Sequence, residues 1–294
     1  MYPRSRAQQG KAGIKVLTKE KKTELTNFAA DIRIQTINMI SKIGVGHVGG
    51  SLSIADAFAC LYGGILNVDP KNPRWEDRDR MVLSKGHAGP AMYSALGLRG
   101  YFPLEMLNTL NQPPTNLPSH TDMNRTPGVD MTTGSLGQGI SSATGMALAA
   151  KLKKKGHYVY CIVGDGECEE GQVWEAAWFA ASRKLDHLIV MVDDNEKQLD
   201  ARVDVEMGEN PAFGKKFEAF GWNVIECADG NDVEQVWNAL IQAKEASGAP
   251  SAIILHTRKG KGWSYAENLE NNHNFKVSAE QAAEAEKEFQ AQKI

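Results

Sequence analysis

Five short apolar runs rich in β-branched residues recur along the chain from about residue 80 onward, separated by segments with helical spacing. Runs of this kind are typical of strands that are buried on both faces. Strands that alternate with helices predict an α/β fold, a mostly parallel sheet with helices on both faces. The runs are residues 81–83, 158–163, 188–192, 223–227 and 252–255.

The segments around these strands show the spacing of amphipathic helices. Residues 23–43 place apolar side chains at roughly the 3.6-residue period, and residues 232–246 do so again. For the second helix we predict a cap at Asn231 and a left-handed closing residue at Gly248. A further helix follows residue 170, and the side chains expected on its apolar face are Trp174, Trp178, Ala181 and Leu185.

A length of 294 residues suits one large α/β domain, and no internal repeat or low-complexity linker divides the chain. Residues 1–20 carry positive charges without a following apolar core, so we predict a flexible N-terminal arm and not a signal peptide. Residues 21–277 are expected to form the domain, and residues 278–294 a peripheral C-terminal helix.

The 33 basic and 36 acidic residues leave a net charge of -3, which provides no general attraction to nucleic acid or to a membrane surface. No apolar stretch approaches the roughly 20 residues that span a bilayer. The four cysteines lack CxxC spacing and read as small buried hydrophobic residues, with Cys168 as an exception. We therefore expect a cytoplasmic protein without nucleic-acid or membrane partners, which binds any anionic ligand locally.

Two glycine-containing segments look like ligand-binding motifs, but their surroundings or spacing do not fit those motifs. Gly44, Gly46 and Gly49 match GxGxxG, but they follow a predicted helix, whereas a dinucleotide fingerprint follows a strand and opens a helix. Residues 259–262, KGKG, lack the GxxxxGKS/T spacing of a phosphate-binding loop. The sequence therefore favours neither a dinucleotide site nor a P-loop.

The most informative segment joins two consecutive predicted strands. The first strand ends at Gly164, Asp165 and Gly166, and after an interval of 27 residues the next ends at Asp194 and Asn195. In parallel folds ligands bind beyond the carboxyl ends of the strands, where these side chains would meet. A carboxylate and an amide oxygen, with a loop carbonyl nearby, suit Mg²⁺, with Ca²⁺ or Mn²⁺ as alternatives. The glycines and the following helix start offer backbone N–H groups to a phosphate.

This spacing resembles the thiamine diphosphate motif, in which GDG is followed after a similar interval by two asparagines, the first of which is Asp194 here. Further segments resemble the diphosphate-binding half of the transketolase family, so that nearly the whole chain from about residue 25 to 275 is covered. The resemblance implies the thiamine diphosphate-binding fold, with residues 21–277 as the diphosphate-binding domain. The further segments are residues 44–53, 69–93, 127–141 and 256–268.

The resemblance also implies a ligand set for the cofactor and its metal ion. The metal ligands would be Asp165, Asn195 and the backbone carbonyl of Lys197, and the N–H of Gly166 would donate to the diphosphate. Two leucines, Leu136 and Leu199, would pack against the cofactor rings. The positions implied for cofactor binding are His87, Gly134, Ser135, Leu136, Gly164, Asp165, Gly166, Glu167, Asn195 and Leu199.

Three histidines, His47, His120 and His273, match catalytic positions of the family. His47 and His120 would face the hydroxyls and the reactive carbon of the substrate and would pass protons at near-neutral pH. Their surroundings depart from the family pattern: Val48 replaces a proline, His120 lies in LPSHTD where a GHP context is commoner, and His273 lies in NNHNF. We therefore expect a substrate entrance of altered shape.

The glutamate that activates the cofactor in the family belongs to a pyrimidine-binding half that this sequence does not contain. The resemblance therefore implies the N-terminal subunit of a split transketolase, which moves a two-carbon ketol unit from a ketose to an aldose. The substrates would be sugars or sugar phosphates, and activity would require a separate C-terminal subunit. We expect a heterotetramer with two copies of each subunit and self-association of this chain. Glu170, Glu175 and residues 134–139 are expected at the subunit contact.

Two other interpretations stay open at this point. Another thiamine diphosphate reaction, similar to deoxyxylulose phosphate synthesis or to 2-oxoacid dehydrogenation, would use the same half-domain. Alternatively, the chain is a non-catalytic subunit that binds metal and diphosphate without turnover. The set of histidines favours ketol transfer over the oxidation of a 2-oxoacid.

Overall fold

The structure is a computed structural model that describes residues 17–199, 201–208 and 211–294. Within them the strands are β1 Val45–His47, β2 Arg80–Leu83, β3 Val159–Gly164, β4 Leu188–Asp194, β5 Asn223–Cys227, β6 Ser251–His256 and β7 Asn274–Lys276. A five-stranded sheet in the order β2-β3-β4-β6-β5 is parallel throughout, and β1 pairs with β7 in a separate antiparallel ribbon. The predicted α/β fold is therefore confirmed, and each of the five apolar runs forms one strand of the sheet.

Helices pack on both faces of this sheet. They are α1 Lys19–Ile43, α2 Gly49–Leu52, α3 Ala55–Cys60, α4 Gly89–Arg99, α5 Gln138–Leu152, α6 Gly171–Ser182, α7 Val203–Met207, α8 Phe213–Ala219, α9 Val233–Glu245, α10 Ser264–Asn268 and α11 Ala279–Ala291. Shorter helical turns lie at Leu61–Ile65, Gly86–Ala88, Leu104–Thr109 and Gly166–Glu169.

Alternate side chains of the strands enter two apolar layers. Ile162 and Ile253 point into the layer that contains α1, α3, α4, α9 and α11. Val163 and Val190 point the other way, towards α5, α6 and α8. Burying one such side chain contributes about 1.5–3 kcal/mol, so the double layer makes the sheet a rigid base for the loops at its edge.

The first helix begins one turn before its apolar pattern. Thr18 caps it by accepting a hydrogen bond from the backbone N–H of Lys21 at 3.2 Å, and Gly44 ends it in the left-handed region with φ of 81°. Residues 1–16 of the predicted arm lie outside the described residues, whereas residues 19 and 20 belong to α1. At the other end of the chain α11 packs against α1 and buries Phe289.

The predicted cap of α9 is wrong by one residue. Asp232 caps the helix, because its carboxylate accepts from the backbone N–H groups of Glu234 and Gln235. Asn231 instead donates to the carbonyl of Ser53 at 2.8 Å and so connects two loops. Gly248 has a left-handed φ of 80°, but it lies beyond the end of the helix, since Ala246 is already extended.

The predicted apolar face of α6 is wrong at Trp178, whereas Leu185, just beyond the helix, is buried, and Trp174 and Ala181 pack against the same apolar layer. Trp178 is 69% exposed, while Trp174 is partly buried with its indole N–H donating to the carbonyl of Cys168 at 2.9 Å. Small side chains on this face let the helix approach the sheet closely, and a tryptophan would not fit there. The buried residues of α6 are Val173, Ala176, Ala177 and Ala180.

The cysteines belong to the apolar layers. All four are free and buried, including Cys168, for which sequence reasoning left another role open. Burial raises the pKa of the Cys60, Cys161 and Cys168 thiols well above the ordinary value, so these thiols stay protonated. No helix in the described part of the chain is both long and apolar enough to cross a bilayer.

Candidate functional site

A cavity of about 220 Å³ opens beyond the carboxyl ends of β3 and β4, beside the β1–β7 ribbon. Empty cavities in proteins are apolar, whereas this one is rich in polar and charged side chains, which is typical of a ligand site. The residues that line it are His47, Gly50, Lys85, His87, His120, Gly134, Leu136, Gly164, Asp165, Gly166, Glu167, Asn195, Lys197, Gln198, Leu199, Lys259 and His273.

The two strand ends singled out in the sequence are neighbours. Gly164 on β3 lies opposite Asp193 on β4, so the loops that follow both strands start side by side. The buried carboxylate of Asp165 accepts a hydrogen bond from the backbone N–H of Asn195 at 2.9 Å. The spacing between GDG and Asn195 therefore corresponds to a direct contact between two loops.

Asp165, Asn195 and Lys197 line the same cavity. They carry three kinds of oxygen: a carboxylate, a side-chain amide and a backbone carbonyl. Burial, reinforced by the charge of Asp193, raises the pKa of Asp165 to about 7, and a nearby cation would favour the ionised form. Within the described ranges no group of three His, Cys, Asp or Glu side chains is placed to hold a metal ion. Amide and carbonyl oxygens beside one carboxylate suit a hard cation.

Asp193 organises the floor behind this wall. Its fully buried carboxylate accepts from the hydroxyl of Ser53 at 2.8 Å, the amide of Asn195 at 2.7 Å and the hydroxyl of Thr257 at 2.6 Å, and it pairs with the ammonium of Lys85. Burial alone would raise the pKa of Asp193, but the charge and hydrogen bonds of its partners lower it below the ordinary value. This network fixes the orientation of the Asn195 side chain.

Glu167 holds three separate segments together. Its buried carboxylate accepts from the N–H of Gly137 at 2.8 Å, from the N–H of Gly164 at 3.0 Å and from the hydroxyl of Ser84. Ser84 follows β2, Gly164 is the last residue of β3, and Gly137 precedes α5. The carboxylate is therefore occupied within the protein and positions the glycine loops that border the cavity.

Four histidines form the opposite wall. The ring centroid of His47 lies 5.4 Å from that of His87, 5.4 Å from that of His120 and 5.3 Å from that of His273, while His87 and His273 are 4.7 Å apart. The β1–β7 ribbon brings two of them together, because His47 lies opposite Asn274, the residue that follows His273. Side chains far apart in sequence thus form one compact cluster.

These histidines are neutral at pH 7. Burial, with smaller effects of His120 and Lys259, lowers the pKa of His47 to about 4, and burial with the charge of Lys259 lowers that of His273 to about 3. Burial also lowers the pKa of His120, and that of His87 falls well below the ordinary value. A neutral imidazole both donates and accepts a hydrogen bond, so the cluster suits a ligand with several hydroxyl groups.

Lysine side chains complete the site. Lys85 lies behind the histidines in its ion pair with Asp193, and Lys259 reaches across from the loop after β6. The Lys259 ammonium donates to the carbonyl of Lys197 at 2.8 Å and to that of Gln198 at 3.1 Å. Burial lowers the pKa of Lys259 to about 8, so this side chain is mostly protonated at neutral pH.

Most of the residues implied by the family resemblance line this cavity. Ser135 does not, because it is exposed outside the lining, and Leu199 lines it while 54% exposed. Glu170 and Glu175 lie on the surface of the turn before α6 and of α6 itself.

Sequence reasoning missed Lys85, Asp193 and Lys259. The one available signal was their location, since Lys85 and Lys259 follow the ends of β2 and β6 and Asp193 lies at the end of β4. Gly50 was missed as well, and a Cβ built there would lie 3.2 Å from the Lys85 ammonium and 3.3 Å from the His87 ring. A side chain at this position would therefore fill the space between them.

Comparison with known proteins gives a result that agrees with the fold and with the residues of this cavity. The family model for the transketolase, thiamine diphosphate binding domain, matches residues 25–293. The chain is 51% identical over 273 residues to the 6-deoxy-6-sulfo-D-fructose transketolase subunit SqwG of a Clostridium species, covering 92% of this chain and 98% of that protein. It is 35% identical to an apulose-4-phosphate transketolase subunit from Phocaeicola vulgatus, covering 87% of this chain and 90% of that protein.

Solved structures give the same fold. The transketolase of Leishmania mexicana superposes with a TM-score of 0.84 at 32% identity, over 90% of this chain. The transketolase of Campylobacter jejuni superposes with a TM-score of 0.84 at 33% identity, over 93% of this chain. This chain spans only 41% and 43% of those two chains, whereas it spans nearly the whole of the two separate subunits described above.

Proposed function

The chain belongs to the transketolase family through its thiamine diphosphate binding domain, and on this basis we propose that it is the diphosphate-binding subunit of a split transketolase. It transfers a two-carbon ketol unit from a ketose to an aldose together with a separate pyrimidine-binding subunit. The observation that carries this proposal is that one cavity is lined both by residues with cation-binding oxygens and by a cluster of four neutral histidines. A purely structural metal site would have no use for the histidine wall.

The residues present fit thiamine diphosphate and a divalent cation. Asp165, Asn195 and the Lys197 carbonyl supply hard oxygen ligands, and we assign Mg²⁺ to them, with Ca²⁺ or Mn²⁺ as substitutes. Gly166 and Gly50 keep the wall open, because a Cβ at Gly166 would lie 2.7 Å from the Gln198 side chain. Thiamine diphosphate, when bound, supplies the electron sink that ketol transfer needs. The protein supplies binding, orientation and proton transfer.

We assign the two ends of the cavity to different tasks. The oxygen end, with the ring of His87 and the N–H of Gly166, binds the metal ion and the diphosphate, and in this structure that N–H donates to the carboxylate of Asp165 at 2.8 Å. The Lys259 ammonium, in the lining of the same end, adds positive charge for the diphosphate. Leu136 and Leu199 offer apolar contacts to the cofactor rings.

At the histidine end, His47 and His120 exchange protons with the hydroxyl groups of the substrate, because both rings are neutral and have a free nitrogen at pH 7. We assign His273 the same type of role, with its Nδ1 facing the ammonium of Lys259 at 3.3 Å.

Partner and assembly are also part of the proposal. The names of the two relatives described above support a separate complementary subunit, and we propose a cytoplasmic heterotetramer with two copies of each chain. The exposed face next to the cavity carries Glu170, and on α6 Trp178 and Phe179 are exposed as well. Aromatic side chains that a monomer leaves in water are typical of a protein interface.

For the substrate we propose a ketose with a sulfonate or phosphate on its terminal carbon. The relative with 51% identity is named for a sulfonated ketose, and the relative with 35% identity is named for a phosphorylated one. The histidine wall fits the hydroxyl-bearing end of such a sugar. It offers no comparable advantage for the oxidation of a 2-oxoacid, which lacks those hydroxyl groups.

The test is a coupled assay with purified subunits. This chain is mixed with its pyrimidine-binding subunit, thiamine diphosphate and Mg²⁺, and ketol transfer from 6-deoxy-6-sulfo-D-fructose or fructose 6-phosphate to an aldose phosphate is followed. We expect turnover only when both subunits, the cofactor and the cation are present. A complex that binds cofactor but transfers no ketol unit from any donor would favour the non-catalytic alternative.

A further inference from the structure

The position of the His120 ring in the cavity depends on its main chain. Among the residues that the structure describes, none forms a hydrogen bond with this ring, whose centroid lies 5.4 Å from that of His47. A Cβ at Gly134 would lie 3.4 Å from the ring, so this glycine leaves the ring room beside the loop. Proton transfer needs a short and well-directed hydrogen bond to the reacting group. Whatever fixes the backbone at His120 therefore also sets its proton transfer.

Thr121, the next residue, is tied to the central sheet by a chain of two hydroxyl groups. The hydroxyl of Thr133 donates to the carbonyl of Leu83, the last residue of β2, at 2.6 Å. Because this bond uses the only hydroxyl proton of Thr133, the hydroxyl of Thr121, 2.7 Å away, is the donor between the two threonines. The N–H of Thr133 also donates to the carbonyl of Thr121 at 3.1 Å. Side chain and main chain thus both join this loop to β2.

The other side of His120 is held from α4. The hydroxyl of Tyr93 lies 2.9 Å from the carbonyl of Pro118 and 3.1 Å from the carbonyl of His120, and it donates to both. Tyr93 is buried and Thr121 is only 1% exposed, so both tethers lie inside the protein, where hydrogen bonds are stronger than in water. The peptide bond between His120 and Thr121 is therefore held on both sides.

Thr121 is also the position at which this loop departs from the GHP context. A proline after the histidine would fix φ, whereas a threonine leaves φ free to vary. The hydroxyl chain to β2 compensates for this freedom. Within the described part of the chain, the N–H of Thr121 has no acceptor, so a proline at this position would remove no hydrogen bond of the backbone. The loop can therefore be stiffened here in two ways, which can be compared in one protein.

We propose that Thr121 is a positioning residue for ketol transfer. Its hydroxyl, anchored to β2 through Thr133, holds the main chain of His120 so that the ring meets a hydroxyl group of the substrate. The inference rests on the proposed function and adds to it a residue that does not line the cavity. Two consequences follow from this role: the effect of Thr121 is on the chemical step and not on cofactor binding, and it disappears when the His120 ring is absent.

The experiment measures kcat, KM and affinity for thiamine diphosphate in the complex of both subunits. Thr121→Val keeps the shape and removes the hydroxyl, and Thr121→Ser keeps the hydroxyl. The valine leaves no buried donor unpaired, because Thr133 still donates to Leu83, so we expect this variant to fold. Thr109→Val is the matched control, since it removes a hydroxyl from another threonine pair, Thr109 and Thr115 at 3.0 Å, that does not line the cavity.

We expect Thr121→Val to lower kcat about 10- to 100-fold, the range of a small misplacement of a reacting group, while KM and cofactor affinity stay within about 2-fold of wild type. Thr121→Ser should keep most of the activity, and Thr121→Pro should recover part of what Thr121→Val loses. Thr109→Val should match wild type. In a His120→Ala background, Thr121→Val should cause no further loss, because its effect passes through that ring.

Two results would overturn the inference alone. One is a wild-type kcat for Thr121→Val, which would mean that the hydroxyl does not set the position of His120. The other is an equal loss of kcat from Thr121→Val with and without the His120 ring, which would mean that the threonine only supports the fold. A wild-type complex that transfers no ketol unit from any donor would instead overturn the proposed function, and the inference with it.

Discussion

The two ends of the cavity are built in different ways. At the oxygen end, Asp193 and Glu167 are each held by at least three hydrogen-bond donors from separate loops. At the histidine end, the rings of His47 and His120 have no hydrogen-bond partner among the described residues. The oxygen end is therefore set by the protein, whereas the histidine end leaves its donors and acceptors to a ligand. This difference separates residues that bind and stabilise from residues that react.

The largest effect is expected at the histidine end. His120→Ala should lower kcat/KM for ketol transfer about 10²- to 10⁴-fold, the usual contribution of general acid-base catalysis, and leave cofactor affinity unchanged. Steady-state kinetics of the assembled complex and titration with thiamine diphosphate measure the two quantities. His187→Ala is the matched control, because that ring stacks on Tyr158 outside the cavity. Full activity of the His120 variant would remove its assigned role.

A smaller effect, a loss of affinity for the cofactor, is expected at the oxygen end. Asp165→Ala should weaken binding of thiamine diphosphate with Mg²⁺ by at least about 10- to 100-fold, since even indirect contacts to a metal site contribute that much. Calorimetry on the complex measures it, with Asp69→Ala in an exposed loop as the control. Unchanged affinity in the Asp165 variant would contradict the metal assignment.

Replacing Glu167 should lower the stability of the chain even without any ligand. Glu167→Gln exchanges one acceptor oxygen for an amide that faces buried donors, so we expect the free energy of unfolding to fall by about 1–3 kcal/mol. Urea unfolding followed by circular dichroism measures the difference. Glu105→Gln, on an exposed helical turn, should leave stability unchanged, and equal stability of both variants would mean that the loops do not depend on Glu167.

The smallest effect concerns pH. The pKa values of His47 and His273 are about 4 and about 3 in the folded chain, below the value of roughly 6.5 in an unfolded one. Below pH 6.5 the unfolded state therefore binds protons that the folded state does not, and stability falls as the pH drops towards 4. The raised pKa of Asp165 acts in the opposite direction. The His47→Asn, His273→Asn double variant keeps Asp165, so its unfolding free energy should fall less between pH 7 and pH 5 than that of wild type.

The sheet and the oxygen end could be predicted from the sequence for a physical reason. A strand buried on both faces must be apolar throughout, so β3 and β4 are visible as runs, and their ends fix where Asp165 and Asn195 lie. Because β3 and β4 are neighbours in the parallel sheet, the loops that follow them, and with them Asp165 and Asn195, are expected to meet. The error at Trp178 on α6 has a physical reason too, because a tryptophan is expected in a core by its composition, whereas small side chains form the contact here.

The rest of the site depends on pairings that no local pattern encodes. The β1–β7 ribbon has three residues in each strand and joins segments more than 200 residues apart, so no local pattern showed the approach of His47 and His273, and only the family resemblance indicated it. Nothing in the local sequence marks Lys85 and Lys259 as buried, because burial of an ammonium depends on partners such as Asp193 from other loops. Charged residues directly after predicted strands were the only indication.

The central claim is that this chain holds the diphosphate and faces the substrate, while the group that activates the cofactor lies in another subunit. Exchange of the thiazolium proton of thiamine diphosphate into heavy water, followed by NMR, tests this directly. We predict slow exchange with this chain alone and rapid exchange once the pyrimidine-binding subunit is added. Rapid exchange by the isolated chain, at the rate of the mixture, would show that the activating group lies within these 294 residues and would contradict the account.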